Sequence, residues 1–295
     1  MQRVGVIGLG SMGIGVARSL LRAGFTVVAC EPRQAVLDAF VKEGGVAAAD
    51  PAALAAQVEA MVILVVNAEQ TEAVLFGARG AVAALEPGTV VIASATVAPD
   101  YAADLGKRLA AAGALPIDGP VSGGAAKAAT GQLSMMAAGS DAAFDKAKPL
   151  LDAIAEKIYR LGREPGQGSQ VKLVNQLLAG VHIAASAEAM ALGIKIGCDP
   201  ATLYEVICNS AGGSWMFQNR VPHILAGDYT PLSAVNIFVK DLGIVLEAAK
   251  RNTMPLPLSA AAHQMFLTAA AQGLGGEDDS AVVKIFPGID LPKKT

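Results

Sequence analysis

Near the start of the chain, Val4-Gly5-Val6-Ile7-Gly8 leads into Leu9-Gly10-Ser11-Met12-Gly13, then an apolar helical run, then Phe25-Thr26-Val27-Val28-Ala29-Cys30-Glu31. This is a strand, a Gly-x-Gly-x-x-Gly turn, a helix and a second strand ending in an acid. Few arrangements constrain a fold as tightly, because each part has a physical task in holding a dinucleotide. Gly8 permits the tight turn, Gly10 lets the backbone approach a pyrophosphate, and Gly13 lets the helix pack closely on the sheet. The helix then directs its unsatisfied N–H groups and positive dipole end at the phosphates. Glu31, 18 residues past Gly13, stands where a carboxylate accepts from the adenosine ribose hydroxyls. A secretory signal would also place Arg3 ahead of an apolar stretch. Here the stretch is broken by regularly spaced glycines, and no small-residue cleavage pattern closes it.

A chain of 295 residues has room for two domains. Short apolar strands are expected at Val4–Gly8, Thr26–Cys30, Met61–Val66, Thr89–Ala93, Ala114–Ile117, Ser134–Ala138 and Ile158–Leu161. They alternate with helical patterns such as Met12–Ala23, Ala52–Val58 and Tyr101–Ala112. Strands with so few polar residues are buried on both faces, as in a parallel sheet under helices. The pattern changes at Arg163-Glu164-Pro165-Gly166-Gln167-Gly168, which reads as a turn. Beyond it only helical patterns remain, near 169–196, 200–210, 234–251 and 257–272. The expected architecture is an α/β Rossmann domain over residues 1–163, doubly wound around a mostly parallel sheet. An all-α domain over 164–295 follows, joined by a long interdomain helix.

Composition narrows the function. A net charge of −3 provides no basic field for nucleic acid. The three cysteines, Cys30, Cys198 and Cys208, form no Cys-x-x-Cys pair, and the three histidines lie far apart, so no metal-ligand spacing appears. The cysteines read as buried reduced thiols of a cytoplasmic protein. Val171 to Gly197 is apolar enough to suggest a membrane span. It also carries Lys172, Asn175, Gln176, His182, Glu188 and Lys195, a density of polar groups that fits a buried helix better than a bilayer.

Three stretches are candidates for chemistry. In Asp118-Gly119-Pro120-Val121-Ser122-Gly123-Gly124, a hydroxyl and backbone N–H groups could receive an anion. The same residues also suit an ordinary glycine-rich loop. Lys172, Asn175 and Gln176 share one helix face in an otherwise apolar segment. A buried lysine is costly unless paired or neutral, so its pKa is open to falling toward the range a general acid or base needs. A lysine snorkelling from a helix end is the plainer alternative. Lys240-Asp241 lies in another apolar helix and, alone, reads as a surface salt bridge. His182, Asn209, Trp215 and Asn219 hint at a pocket for a polyhydroxylated acid, although each alone suits a structural role.

Taken in order, Gly8 to Gly13, Asp118 to Gly124, Gly168 to Gln176 and Lys240-Asp241-Leu242 resemble the β-hydroxyacid dehydrogenase family. That family includes 3-hydroxyisobutyrate dehydrogenase, tartronate semialdehyde reductase and, more distantly, 6-phosphogluconate dehydrogenase. The resemblance covers nearly the whole chain. Gly213 to His223, Asp228 to Pro231, Ser233 to Val235, Ile237 to Leu242, Glu277 to Val282 and Leu178 to Ala184 look closest to the family's threonate-oxidising branch. The resemblance implies Lys172 as general base in oxidation, with Asn175 and Gln176 orienting the substrate. Ser122, Gly123 and Gly124 would bind the substrate carboxylate, with Lys240 also facing the substrate. Thr96 and Lys240 would line the nicotinamide pocket, and Val66 and Asn67 would border the cofactor beside Gly8, Gly10, Ser11, Met12, Gly13 and Glu31. The family often has a hydroxyl residue where Ala95 stands, so no hydroxyl acts there.

Glu31 would repel a 2′-phosphate, so NAD is expected over NADP, although Arg33 close by could partner a phosphate. The expected partners are a small hydroxy acid and, by resemblance, further copies of the chain in a homodimer or homotetramer. Neither nucleic acid nor membrane is expected. 3-Hydroxyisobutyrate and tartronate semialdehyde remain alternative substrates. A dinucleotide sensor without turnover would be expected to have lost the lysine face that this chain keeps.

Overall fold

The computed structural model describes residues 1–294 and divides into two compact units, Met1–Lys172 and Leu173–Thr295. The division falls within one continuous helix, after Lys172, whereas the change of sequence pattern lies at 163.

The first unit is a nine-stranded sheet between helices. Its strands are β1 (Arg3–Ile7), β2 (Thr26–Cys30), β3 (Val46–Ala47), β4 (Ala60–Ile63), β5 (Val90–Ala93), β6 (Leu115–Asp118), β7 (Val121–Ser122), β8 (Leu133–Gly139) and β9 (Ala155–Gly162). The order β3-β2-β1-β4-β5-β6 is parallel throughout and reverses direction of growth between β1 and β4, as in dinucleotide-binding folds. Beyond it, β8 pairs antiparallel with β6 and β7 and parallel with β9.

Alternation with period two sends strand side chains to both faces. Val4, Val6, Val27, Val62 and Ile92 join a core with α1 (Gly13–Arg22) and α7 (Asp141–Ile154). Ile7, Val28, Met61, Ile63 and Val91 join a second core with α3 (Pro51–Ala55), α4 (Ala68–Phe76) and α5 (Pro99–Ala111). Two further helices complete this unit, α2 (Gln34–Lys42) and α6 (Gly124–Thr130).

All seven expected strands are present. The two unforeseen ones, β3 and β7, are two residues long, too short for a periodic signal. The strand expected over 61–66 leaves the sheet after Ile63, because Asn67 caps α4 by accepting from the Gln70 N–H at 2.8 Å.

The long helix α8 (Gln167–Lys195) carries the chain into the second unit. By length and composition alone it could cross a bilayer. Its residues Ile183, Ala184, Ala187, Met190 and Ala191 are instead buried in the core of the helical unit. The remaining helices are α9 (Pro200–Cys208), α10 (Trp215–Ala226), α11 (Val235–Arg251) and α12 (Pro257–Ala269), with a short 3-10 stretch at Asp279–Ile285. α10 escaped the sequence reading because Pro222 lies inside it, where a helix ordinarily breaks. Among the described residues the helical unit holds no strand, only an isolated bridge between Ala234 and Asp278.

Candidate active site

The parallel register aligns the ends of β1, β2, β4, β5 and β6. Ile7 stands opposite Cys30 and Ile63, Ile63 opposite Ala93, and Ala93 opposite Asp118. Four candidate segments therefore leave the same edge of the sheet: Gly8–Gly13, Val66–Asn67, Thr96, and Ser122–Gly124. Ligands of open α/β sheets bind outside this carboxyl edge.

The first turn uses its glycines for different ends. Gly8 has φ +91° and donates its N–H to the Cys30 carbonyl, and a Cβ there would lie 2.7 Å from the Leu64 oxygen. A Cβ on Gly13 would lie 1.9 Å from the Gly8 oxygen. A Cβ on Gly10 would meet no protein atom within 4 Å. Gly10 is thus a glycine that the protein's own packing does not demand, which fits a backbone kept bare for a pyrophosphate. Met12 precedes α1, which has no side-chain cap and no acid in its first turn, leaving that helix end suited to phosphate. Ser11 is exposed beside it.

Glu31 is buried and braces the turn. One carboxylate oxygen accepts from the Leu9 N–H at 2.7 Å, and the other accepts from the Arg33 backbone N–H at 3.1 Å and from its Nε at 2.6 Å. The Arg33 guanidinium holds the Glu31 carboxyl below the ordinary glutamate range, against the opposing effect of burial. Arg33 also donates to the Leu9 carbonyl, so its charge is engaged within the turn. At the next strand ends, Val66 is 47% exposed, Asn67 caps α4 and Thr96 is partly buried.

The second turn is held from outside. Ser122 lies in β7 opposite Ser134, and Gly123 and Gly124 take φ +129° and +68°, values that favour glycine. A Cβ on Gly124 would meet no neighbour within 4 Å. Lys172 is buried, and its Nζ donates to the Val121 carbonyl at 2.8 Å. The candidate base and the candidate carboxylate site, about fifty residues apart in sequence, are thereby brought to adjacent positions.

In the helical unit, Asn175 donates from Nδ2 to Gln176 Oε1, and Gln176 donates from Nε2 to the Asp241 carboxylate at 2.5 Å. Lys240 donates to the other oxygen of Asp241. The aspartate is 2% exposed and Lys240 partly buried, so Asp241, which with Lys240 taken alone reads as a surface ion pair, is a buried hub that fixes the Gln176 amide. Asp241 and Asp118 received no role from the sequence reading. Their signal was a carboxylate in an apolar stretch, which requires a hidden partner. Asn209 and Asn219 are exposed and bonded to nearby chain, and Trp215 is 56% exposed. His182 is partly buried. Among the described residues no group of His, Cys, Asp and Glu could hold a metal ion.

Residues 3–162 match the family described as the NAD binding domain of 6-phosphogluconate dehydrogenase. Residues 166–286 match that described as the NAD-binding domain of NADP-dependent 3-hydroxyisobutyrate dehydrogenase. An L-threonate dehydrogenase of Cupriavidus necator is 64% identical over 99% of both chains, and one of Pectobacterium atrosepticum is 52% identical over 99% of this chain and 96% of that one. A crystal structure titled 3-hydroxyisobutyrate dehydrogenase, from Salmonella typhimurium, superposes with a TM-score of 0.93 at 49% identity, covering 97% of this chain and all of the other. The chain belongs to the 3-hydroxyisobutyrate dehydrogenase family and is an NAD-dependent hydroxyacid dehydrogenase acting on CH–OH donors.

Proposed function

We propose that this enzyme oxidises L-threonate at C2 to 2-dehydro-L-erythronate (2-oxo-tetronate). The observation that carries the mechanism is the buried Lys172 amine, bonded to the carbonyl immediately before Ser122-Gly123-Gly124. The Ser122 hydroxyl and the N–H groups of Gly123 and Gly124 receive the substrate carboxylate, which places the carbinol carbon. Lys172 takes the hydroxyl proton as the C–H bond breaks, and Asn175 and Gln176 orient the substrate. Thr96 would border the nicotinamide from the α/β unit, while Val66, Asn67, Glu31 and the Gly8–Gly13 turn would hold the rest of the dinucleotide; Lys240 keeps the substrate- and cofactor-facing role that the family resemblance implies. NAD, when bound, supplies the hydride acceptor. Holding a near-attack arrangement accounts for most of the rate gain, and proton transfer adds to it.

NAD is favoured over NADP because the buried Glu31 charge opposes a 2′-phosphate while Arg33 is engaged with that same carboxylate. The L-threonate assignment draws on the relatives at 64% and 52% identity. The Salmonella structure supports 3-hydroxyisobutyrate as a second reading. NADH absorbance with L-threonate, D-threonate, D-erythronate, 3-hydroxyisobutyrate and glycerate separates them. The expected result is a kcat/KM for L-threonate at least about tenfold above every other, a difference of about 1.4 kcal/mol in transition-state binding. Equal or faster turnover of 3-hydroxyisobutyrate rejects the assignment.

The enzyme works in the cytoplasm, in keeping with three free cysteines, although none is buried as the sequence suggested (Cys198 is exposed, Cys30 and Cys208 partly buried), and as a homodimer or homotetramer. Val171, Val174 and Leu178 form an apolar stripe along α8, each 42–58% exposed, the kind of surface a second copy would cover. Sedimentation of the purified protein tests this, and a monomer at micromolar concentration would refute it.

A further inference from the structure

Helix α8 begins without a side-chain cap of its own. The residue before it is Gly166, and its first turn carries no acid. Both deficits are met across space by Asp118, the last residue of β6, which is 4% exposed. One carboxylate oxygen accepts from the Gly166 and Ser169 N–H groups, each at 2.8 Å, and the other accepts from the Ser169 hydroxyl at 2.7 Å. Gly168 makes this approach possible, since a Cβ there would stand 2.4 Å from the Met136 backbone oxygen, 2.7 Å from the Asp118 backbone oxygen and 3.1 Å from Asp118 Oδ2. Lys172 follows Ser169 by three residues, and its Nζ is bonded to Val121, three residues past Asp118. One short segment, Asp118–Val121, thus grips both the backbone of the first helical turn and the amine carried by the turn that follows it.

We infer that Asp118 is a positioning residue for the reaction: by capping α8 from the sheet, it sets the place of the Lys172 amine relative to the Ser122–Gly124 turn. This rests on the reading of Lys172 as the base. A carboxylate so placed satisfies helix N–H groups left over at the terminus and complements the helix dipole. Its removal frees the first turn to shift or fray, and a displacement of about an ångström at a reacting group costs on the order of a hundredfold in rate.

The test compares Asp118→Ala, Asp118→Asn and Ser169→Ala in the full-length enzyme with NAD and L-threonate. The expected order of kcat loss is Asp118→Ala, then Asp118→Asn, then Ser169→Ala. Asp118→Asn, which keeps one acceptor in place, should lose about tenfold and so recover part of the alanine loss. Ser169→Ala should lose about threefold, near the value of one hydrogen bond. The KM for L-threonate and the affinity for NAD should stay within about twofold, because the loss falls on chemistry rather than binding. If Asp118→Ala does not fold, the other two variants carry the test. Parental kcat in Asp118→Asn and Ser169→Ala overturns the inference, as does a loss confined to melting temperature or NAD affinity. Lys172→Ala separates the two levels. If that variant keeps near-normal turnover, the reading of Lys172 fails and the role of Asp118 with it. If it is inactive while Asp118→Asn and Ser169→Ala match the parent, only Asp118 is misassigned.

Discussion

The two glycine turns of the α/β unit leave the same edge of the sheet yet are built on opposite principles. The first, Gly8–Gly13, is closed by its neighbours: Gly13 abuts Gly8, and Glu31, just past the end of the adjoining strand, braces Leu9. The second, Asp118–Gly124, is closed by α8, about fifty residues later. The buried acids differ accordingly. A guanidinium holds the Glu31 carboxyl below its ordinary range. Burial pushes the Asp118 carboxyl up, although hydrogen bonds from Ser169, Gly166 and Gly168 oppose it. A turn assembled locally can bring its counter-charge with it, whereas one assembled at a distance relies on oriented dipoles. The second arrangement lends itself to chemistry because it places a reactive amine beside a turn from elsewhere in the chain.

The strongest way to break this contrast is Lys172→Ala. Turnover should fall at least about a hundredfold with NAD binding retained, the lower range for losing a general base. A variant that binds NAD and turns over normally would leave the second turn with no catalytic role. Next, Gly13→Ala should destabilise the enzyme by about 1–3 kcal/mol in urea unfolding, the cost of overpacking a close contact. Gly10→Ala sharpens the point at slightly smaller cost. Its melting temperature should hold while NAD binding weakens at least about tenfold, or about 1.4 kcal/mol, by calorimetric titration. Parallel loss of stability and affinity in both variants would mean that the first turn does not divide its glycines between packing and ligand.

The smallest effects are opposite in sign. Glu31 has a depressed pKa in the folded state, so its stabilisation is present above the ordinary glutamate value and is lost as pH falls through the depressed one. Asp118 has a raised pKa, so the folded state binds its proton more tightly. Stability from this group therefore declines as pH rises from the ordinary aspartate value to the raised one. Urea unfolding of Glu31→Gln should show less loss on acidification than the parent, and Asp118→Asn less loss on raising the pH through that interval. The same direction of change in both variants would remove the electrostatic half of the comparison.

Much of the fold was legible in the residues. Seven strands, the doubly wound order and the long helix follow from apolar runs and turn residues, because β1 and the Gly8–Gly13 turn act through contacts close in sequence. The elements missed had weak local signals. β3 and β7 are two residues long, and α10 contains Pro222. Lys172, Asn175 and Gln176 were recognisable as polar residues on one helix face. The carboxylates that hold this helix were not: Asp118 bonds Ser169 across 51 positions, and Asp241 bonds Gln176 across 65. The apolar run around Asp241 signals that a hidden partner exists, but nothing near it in sequence says that the partner is Gln176.

From residues alone came a dinucleotide turn, an alternation of strands and helices, and the chemical types able to act at the edge of the sheet. Those properties depend on backbone freedom and side-chain periodicity over a few residues. Only the folded chain decided that the Lys172 amine meets the carbonyl of Val121 and that Asp118 begins the helix beneath it. Such pairings are set by strand register and by the direction in which α8 leaves the sheet, and no short stretch of sequence encodes either.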